Sequence, residues 1–583
     1  MHGSGAHASR SPFRLDRSGL PSLAGGRLAV IAAVALIMLL SAFVRFYHLS
    51  SPKGFVFDEV YYAKDAETII KGDIGPRKDY HWMPGDEVSW PHAEYGKMAI
   101  ALGILAFGDH EFGWRFMPAI AGLALLLCVY PIARRLGLSR EWSLAALLLA
   151  AVDFLGITQS RTATLDIFVA LWTVLTVYLT LRYVQDGRRW YWLLLAGVSA
   201  GLAIGTKWSG LWGIVAAIVL IVVFRPRRKE SARYRGAGAG PLRLLREPVL
   251  VALFLIVLPV GLYMASYGLY FAHGHTMKDW WDLQQQMWTF NTHLTATHPY
   301  ASPANTWILD YRPVWYYFKS VGDTYHGVIA MGHPLIWWSS VLALVALPVA
   351  AIVDRNRALV LPSVLVAALY FFWFAFGRTS FLFYMMPVAP FMAILVAAAL
   401  ARLARRPPRL SADGTTARDL AAERRPQPAP GAEAAAGADM EAAAQERAGT
   451  EAAAPTPPVR RRAERPAAEE WRLQPLLVFL ASAAVVAMFW YPIGAGVAYI
   501  FYDLPAMIAP VVGIAVASLA GVAVIVTLAA LASNERYANF WRVAGWIFVG
   551  ACAGLLVAYL PIIIDLGISR EEWSRLMWLP SWI

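Results

Sequence analysis

The sequence predicts an all-α polytopic integral membrane protein. Three observations carry that reading. Of 583 residues, 58% are hydrophobic. Only 15% are charged, against about 25% in ordinary globular domains. Thirteen apolar runs recur along the chain, most of them near the roughly 20 residues that a bilayer span requires. This composition excludes collagen, disulfide scaffolds and a wholly disordered chain. The two cysteines, Cys128 and Cys552, lie far apart inside apolar runs and read as packing residues rather than a disulfide framework. The net charge of +12 does not indicate nucleic acid, because the basic residues flank the apolar runs, where they set topology.

The runs centre near Leu36, Leu123, Leu148, Leu171, Leu195, Val215, Phe254, Val341, Ala367, Ala389, Ala483, Ala515 and Val549. The first, Leu28 to Val44, is too long for a signal peptide core and lacks a cleavage pattern after it, so it reads as a retained anchor. With thirteen spans and a cytoplasmic N-terminus, the inner segments are 1–27, 134–140, 182–189, 225–246, 354–357, 402–472 and 533–542. They hold 35 of the 51 Lys and Arg residues, which satisfies the positive-inside rule and puts the C-terminus outside. Residues 404–470 are rich in Ala, Glu, Arg and Pro and carry no aromatic residue, so they read as a disordered cytoplasmic linker. No internal repeat of fixed period is present, which disfavours a transporter built from inverted halves.

The outer loops, 45–110 and 272–331, concentrate the chemistry. In the first, the chain reads as helical from Phe57 to about Ile70, and Lys97 to Phe107 reads as a short interfacial helix. Asp58 and Glu59 open the first of these helices. They either answer the helix dipole or, with Arg45, His92, Glu94 and Lys97 in or beside the same loop, form part of a site. In the second loop Trp280, Leu283, Met287, Phe290 and Leu294 recur every three or four residues and define one face of a surface helix. The surrounding Tyr and Trp residues also suit ordinary interfacial anchoring. Arg115 sits at the outer end of the second span, where a guanidinium fork suits a phosphate at head-group depth. Arg161 and Asp166, five residues apart, either pair with each other or face a polar cavity.

A carboxylate outside, cations at head-group depth and many spans suit a polyprenyl-phosphate sugar as donor. Its tail stays in the bilayer, Arg and Lys stabilise the phosphate leaving group, and a carboxylate takes the proton of the attacking hydroxyl. A single displacement inverts the anomeric centre.

Several strings then add up to a resemblance. FVFDEVYYAKDA, HAEYGK, FGDHEFGWRFMPAIAG, QSRTATLDIF, HPYASP, RPVWYYF and the terminal EEWSRLMWLPSWI, in this order and spacing, resemble the bacterial protein O-mannosyltransferase family over nearly the whole chain except 404–470. The resemblance implies the GT-C glycosyltransferase fold and transfer of mannose from polyprenyl-phosphate mannose to Ser or Thr of exported proteins, at the outer face of the cytoplasmic membrane. It implies Asp58 and Glu59 as the catalytic pair, with Asp58 the base. Arg45 and Arg115 map onto the family's essential arginines and, with Lys97, are the expected donor-phosphate ligands. His92, Glu94, Arg161, Asp166 and Tyr300 are candidate substrate-loop residues. The family usually has His-Pro-Pro-Leu-Gly-Lys where this chain has His92-Ala93-Glu94-Tyr95-Gly96-Lys97, which changes the turn and adds a carboxylate.

No metal or other cofactor is expected beyond the lipid-linked donor, since His92, Glu94 and Asp58 fix no ligand geometry for a divalent ion. The division expected is a cytoplasmic tail over 1–27, a GT-C membrane domain over 28–403, the linker over 404–470, and a C-terminal transmembrane module with an external tail over 471–583. Membrane lipids, the donor and an exported polypeptide are the expected partners. Coupling to the secretion channel stays open. Rival readings are a related transferase acting on a glycolipid or wall polymer, and a transporter, which predicts polar residues scattered at mid-membrane rather than gathered at one face.

Overall fold

The computed structural model describes residues 27–71, 90–224, 241–294, 296–354, 356–404 and 538–583. The expected linker over 404–470 and the spans centred near Ala483 and Ala515 lie outside the described residues, apart from Ala404. Each of the other eleven predicted centres falls in a helix. Among the described residues, seven helices are long and apolar enough to cross a membrane, or eight if one bent pair is a single span. Three of the eleven, over 190–204, 208–223 and 389–403, are apolar but shorter.

In chain order, α1 (Arg27–Phe46) is an apolar rod, largely exposed along its length, with Val34, Ile37, Met38 and Val44 against the core. The first outer loop folds as α2 (Glu59–Lys71) and α3 (Tyr95–Phe107), which pack on each other and against α4 (Glu111–Arg135). Next comes a span broken by 57°, formed by α5 (Arg140–Ala151) and α6 (Phe154–Ser160). The break has a chemical cause. Asp153 caps α6 by accepting from the Gly156 N–H (3.1 Å), and its other oxygen accepts from the His333 N–H (3.2 Å) and the Trp337 indole (2.8 Å). A satisfied buried carboxylate thus fixes where the chain turns.

α7 (Asp166–Gln185) is the most enclosed span, packed against α4, α8 (Trp190–Ile204) and α9 (Leu211–Val223). A further rod runs through α10 (Pro241–Ala252), a π turn at Leu253–Val257 and α11 (Leu258–Ser266), continuing into the short α12 (Gly268–Ala272). The amphipathic helix of the second outer loop is α13 (Met277–His293), started by a Thr276–Asp279 capping box. Its buried Leu283 and Met287 pack with Tyr267, Tyr270 and Trp280, so this part of the predicted stripe faces protein, while Leu294 lies just past the helix end in extended backbone. α14 (Ala304–Trp307) follows.

The all-α expectation needs one correction. Val314–Val321 (β1) and Thr324–Ala330 (β2) form an antiparallel hairpin, and Ile568–Ser569 (β3) adds to β2. Aromatic and β-branched residues on both sides of Gly322-Asp323 form the strands of a tight hairpin, with Gly322 at φ +59°. In sequence the same aromatics looked like interfacial anchors. α15 (Pro334–Val353), α16 (Leu361–Tyr370) and α17 (Ala389–Leu403) complete the bundle, and α18 (Ala538–Ile563) leads to β3 and α19 (Arg570–Leu576). Glu141 ties α18 to α5 by accepting from Arg542 Nε and the Trp546 indole, both at 2.8 Å.

Candidate active site

The first outer loop is organised by a buried ion pair. Glu59 is fully buried, and its two oxygens accept from Arg115 Nε and Nη2, each at 2.8 Å. They also accept from the backbone N–H of Val56 (3.0 Å) and of Ala163 (2.9 Å). The rest of the Arg115 guanidinium donates to the carbonyls of Leu49 (3.2 Å), Pro52 (2.9 Å) and Gly54 (3.1 Å). All five N–H groups of Arg115 are therefore used within the protein, and none remains for a phosphate. The fork that suggested an anion instead clamps the loop that carries Asp58.

Arg161 does not pair with Asp166. Its guanidinium lies across the end of α1, donating to the carbonyls of Val44 (2.9 Å), Arg45 (3.0 Å), Tyr47 (2.7 Å) and His48 (3.0 Å). A cation there satisfies the orphan carbonyls of a helix C-terminus and its negative dipole end. Asp166 pairs with Lys207, whose Nζ lies 3.0 and 3.1 Å from the two carboxylate oxygens.

Asp58 lies beside that pair. Its backbone carbonyl opens α2 by accepting from the N–H of Tyr61 and Tyr62, and its side chain stays partly exposed while that of Glu59 is buried. Consecutive helical residues point about 100° apart, so the two acids face different surroundings. Phe57, at φ +48°, bends the chain just before Asp58 and stacks on Tyr316 at 4.3 Å. Burial pushes the Asp58 carboxyl up to about 7; Lys207 opposes this, and the negative Asp166 adds to it.

Lys207 also lies 4.6 Å from the Tyr384 ring centroid. The Tyr384 hydroxyl accepts from Arg378 Nη2 (2.8 Å), while Arg378 Nη1 donates to Asn291 Oδ1 (2.6 Å). His92 completes this wall. Burial, then the cations Lys207, Arg378 and Lys97, hold its imidazole well below its usual range, so it is neutral. On the remaining side the Tyr316 hydroxyl accepts from Gln159 Nε2 (2.8 Å), and Thr164 Oγ1 donates to Gln159 Oε1 (2.5 Å).

The other expected residues have partners of their own. Lys97 is buried and held by Asp65 (3.0 Å) and Glu94 (3.1 Å). Glu94 is thus turned to Lys97, and among the described residues no three acidic, His or Cys side chains converge to hold a metal. Arg45 is buried beside a small cavity that it lines with Asp153, Met386 and Pro390; its Nε donates to Ser160 Oγ (3.2 Å). Gly122 makes room for that bond, since a Cβ there would stand 2.0 Å from Ser160 Oγ. The Tyr300 N–H donates to His298 Nδ1 (3.2 Å), and the His298 ring meets Phe381 edge-on at 5.0 Å.

Lys207, Arg378 and Tyr384 were not anticipated from sequence. Their signal was present, however. GTKWSG and GRTSFLFY each place one cation at the outer end of apolar runs, where an ionisable residue marks function by default.

Two family profiles match consecutive stretches of the chain. Residues 98–275 match that of the dolichyl-phosphate-mannose-protein mannosyltransferases, and residues 276–419 match that of the C-terminal four TMM region of protein-O-mannosyltransferase. A polyprenol-phosphate-mannose–protein mannosyltransferase of Mycolicibacterium smegmatis is 27% identical over 435 residues, covering 64% of this chain and 83% of the relative. The protein of the same name from Corynebacterium glutamicum is 28% identical over 445 residues, covering 64% and 82%. Among solved structures, the S. cerevisiae protein O-mannosyltransferase Pmt1-Pmt2 complex bound to the sugar donor superposes with a TM-score of 0.61 at 12% identity, over 96% of this chain and 93% of that one. With its two profiles together spanning more than half of its length and its fold shared with a solved member, this multi-pass membrane chain belongs to the protein O-mannosyltransferase family of GT-C glycosyltransferases.

Proposed function

We propose that this protein transfers mannose from polyprenyl-phosphate mannose to Ser or Thr hydroxyls of exported polypeptides, with inversion, at the outer face of the cytoplasmic membrane. Family membership supports the reaction class, and the names of the bacterial relatives support the donor and the protein acceptor. The distribution of Lys and Arg supports the outer face.

The single observation that carries the mechanism is the placing of Asp58 against the Asp166–Lys207 pair, with a carboxyl poised near neutrality. A base is most effective when its pKa is close to the working pH. In the proposed step the acceptor oxygen forms its bond to C1 of the mannose as the bond from C1 to the phosphate oxygen breaks. The electron pair leaves with the polyprenyl phosphate, and the hydroxyl proton passes to Asp58. Lys207 and the partly exposed Arg378, bridged by the Tyr384 ring and hydroxyl, are the cations we assign to the phosphate. This replaces Arg115 and Lys97 in that role, because all five N–H groups of Arg115 are used within the protein and two carboxylates hold Lys97, whereas Lys207 answers one carboxylate and Arg378 donates only to uncharged oxygens; Arg45, which donates to Ser160 Oγ and the Ser41 carbonyl, is left out of the assignment. Glu59 and Arg115 act as positioning residues for the Asp58 loop.

Membranes containing the protein, supplied with polyprenyl-phosphate [14C]mannose and a Ser/Thr-rich peptide, should yield labelled peptide whose label is released by alkaline β-elimination. Label confined to the lipid fraction would refute the protein-acceptor reading and favour a glycolipid transferase.

A further inference from the structure

We infer that the open edge of β1 is the acceptor dock: an extended stretch of the acceptor polypeptide adds to it as a further strand, which leads the target hydroxyl into the site beside Asp58. This rests on the polypeptide-acceptor reading and specifies how that acceptor is held.

The sheet order is β1-β2-β3, so β1 is an edge strand. β2 is covered on its far side where Thr324 and Tyr325 pair with Ser569 and Ile568. Among the described residues β1 has no such cover, and no backbone hydrogen bond there joins it to anything except β2. Its inner half, Val314 to Tyr316, is buried, while Phe318 to Val321 are exposed. Natural proteins usually blunt an exposed edge of this kind. Here a single Lys319 stands along it.

The register says which groups are on offer. Val321 and Thr324 close a two-residue turn through Gly322 and Asp323, and the closing pair of such a hairpin is hydrogen-bonded. Antiparallel pairs alternate, so Lys319–His326 is also a bonded pair. Phe318 and Ser320 then turn their N–H and C=O groups away from β2, toward the open edge. Main-chain bonds to such groups are how a sheet edge captures an extended peptide.

The strand also points at the chemistry. A register shift between Trp315 and Tyr317 leaves Tyr316 outside the ladder, and bulges of this kind re-aim a side chain next to active sites. The Tyr316 ring stacks face to face on Phe57, the residue before Asp58, with 6° between the ring planes. A strand running along the edge toward Tyr317 therefore arrives at the Asp58 loop, with Phe318 only about 7 Å of strand from Tyr316. The platform is rigid. The Trp315 indole donates to the carbonyl of Trp582 (2.9 Å), the Trp582 indole donates to that of Asp310 (2.7 Å), and Asp565 ties His326 (3.1 Å) to Ser51 (2.8 Å). An edge held this firmly adds little ordering cost when a strand docks.

The test uses the full-length enzyme, polyprenyl-phosphate mannose, and 12-residue peptides with one Thr. Two peptide sets are N-methylated at alternate backbone nitrogens, in opposite phases. Strand addition predicts that one phase raises the peptide KM about tenfold, the scale of one or two lost backbone hydrogen bonds, while the other changes it less than about twofold. Ser320→Pro removes an edge N–H without touching the ladder to β2. It should raise the KM of the unmodified peptide by a similar factor and leave the donor KM unchanged. Should Ser320→Pro lose donor binding, Phe318→Pro takes its place. Equal KM values for the two phases overturn the proposal, whatever the proline variants do. So does an unmodified-peptide KM that neither Ser320→Pro nor Phe318→Pro changes, which would put the docking edge elsewhere. If the wild-type enzyme labels no peptide at all, the protein-acceptor reading falls and this proposal falls with it.

Discussion

Asp58→Asn and Glu59→Gln, made one at a time, should have opposite consequences although the residues are adjacent. Glu59 is fully buried and compensates the Arg115 guanidinium through two 2.8 Å bonds while accepting two backbone N–H groups. The Gln amide matches its shape but leaves a buried cation without a counter-charge and turns an N–H₂ toward other donors. Breaking one side of a buried pair costs about 3–5 kcal/mol, so the thermal midpoint should fall, and transfer should fall with it as the loop loosens. Asp58 behaves otherwise. Its folded carboxyl is raised from the usual 3.8 to about 7. The unfolded chain therefore releases that proton first, and the residue weakens folding progressively as pH rises from about 4 to about 7. Fully expressed, this would amount to roughly 4 kcal/mol, and less here because water reaches the partly exposed group. Asp58→Asn removes that cost, so at pH 7.5 its thermal midpoint should equal or exceed that of the wild type. Its mannosyl transfer should nonetheless drop by roughly 100-fold or more, the scale of general-base loss, with donor binding retained. Scanning fluorimetry and peptide mannosylation on the same detergent preparations measure both. A stable Glu59→Gln enzyme with abolished turnover, beside an unstable Asp58→Asn enzyme with near-normal turnover, would exchange the two roles and refute the base assignment.

Acceptor kcat/KM should fall about tenfold per pH unit below about 7, because the base must be ionised to act. Lys207 lowers and Asp166 raises the Asp58 carboxyl, so Lys207→Met should move that limb to higher pH and Asp166→Asn to lower pH. Limbs that stay put in both variants would detach Asp58 from the profile. Arg378→Ala should raise the donor KM by about tenfold or more, the scale of a charge-assisted hydrogen bond, with little change in thermal midpoint. An unchanged donor KM would remove Arg378 from the phosphate site.

What could be read in sequence followed from periodicity. The Trp280, Leu283, Met287 stripe was legible because a one-sided apolar environment repeats at helical spacing, and α13 buries that face. The membrane helices were legible from the length of their apolar runs, and the motif strings around Asp58 and Arg115 carried the family. Partners were not legible. Arg161 and Asp166, five positions apart, left two readings open, a mutual pair or a polar cavity, yet Asp166 reaches Lys207 across 41 positions and Arg161 reaches carbonyls more than 110 positions away. A backbone carbonyl leaves no mark on residue identity, so nothing in the string told a phosphate-binding arginine from one that clamps a loop. The hairpin was missed because Trp315, Tyr316, Tyr317 and Phe318 serve equally as strand residues and as an interfacial belt.

The Glu59–Arg115 unit allows a test of whether its charge or its geometry matters to catalysis. Each single removal, Glu59→Gln or Arg115→Met, orphans a buried partner, so each should cost about 3–5 kcal/mol. If the losses were independent, the double variant would lose twice that. They are not independent, because the second substitution removes the charge that the first left stranded, and residues in one buried network couple by about 0.5–3 kcal/mol. The double variant should therefore be clearly less destabilised than the sum of the singles. Activity should not recover in parallel. The N–H groups of Val56 and Ala163 and the carbonyls of Leu49, Pro52 and Gly54 all lose a charged partner in the double variant, and the loop that aims Asp58 is left without its clamp. Partial recovery of the thermal midpoint without recovery of transfer is the expected result. Recovery of both would mean that charge neutrality alone, and not the hydrogen-bonded loop, positions the base.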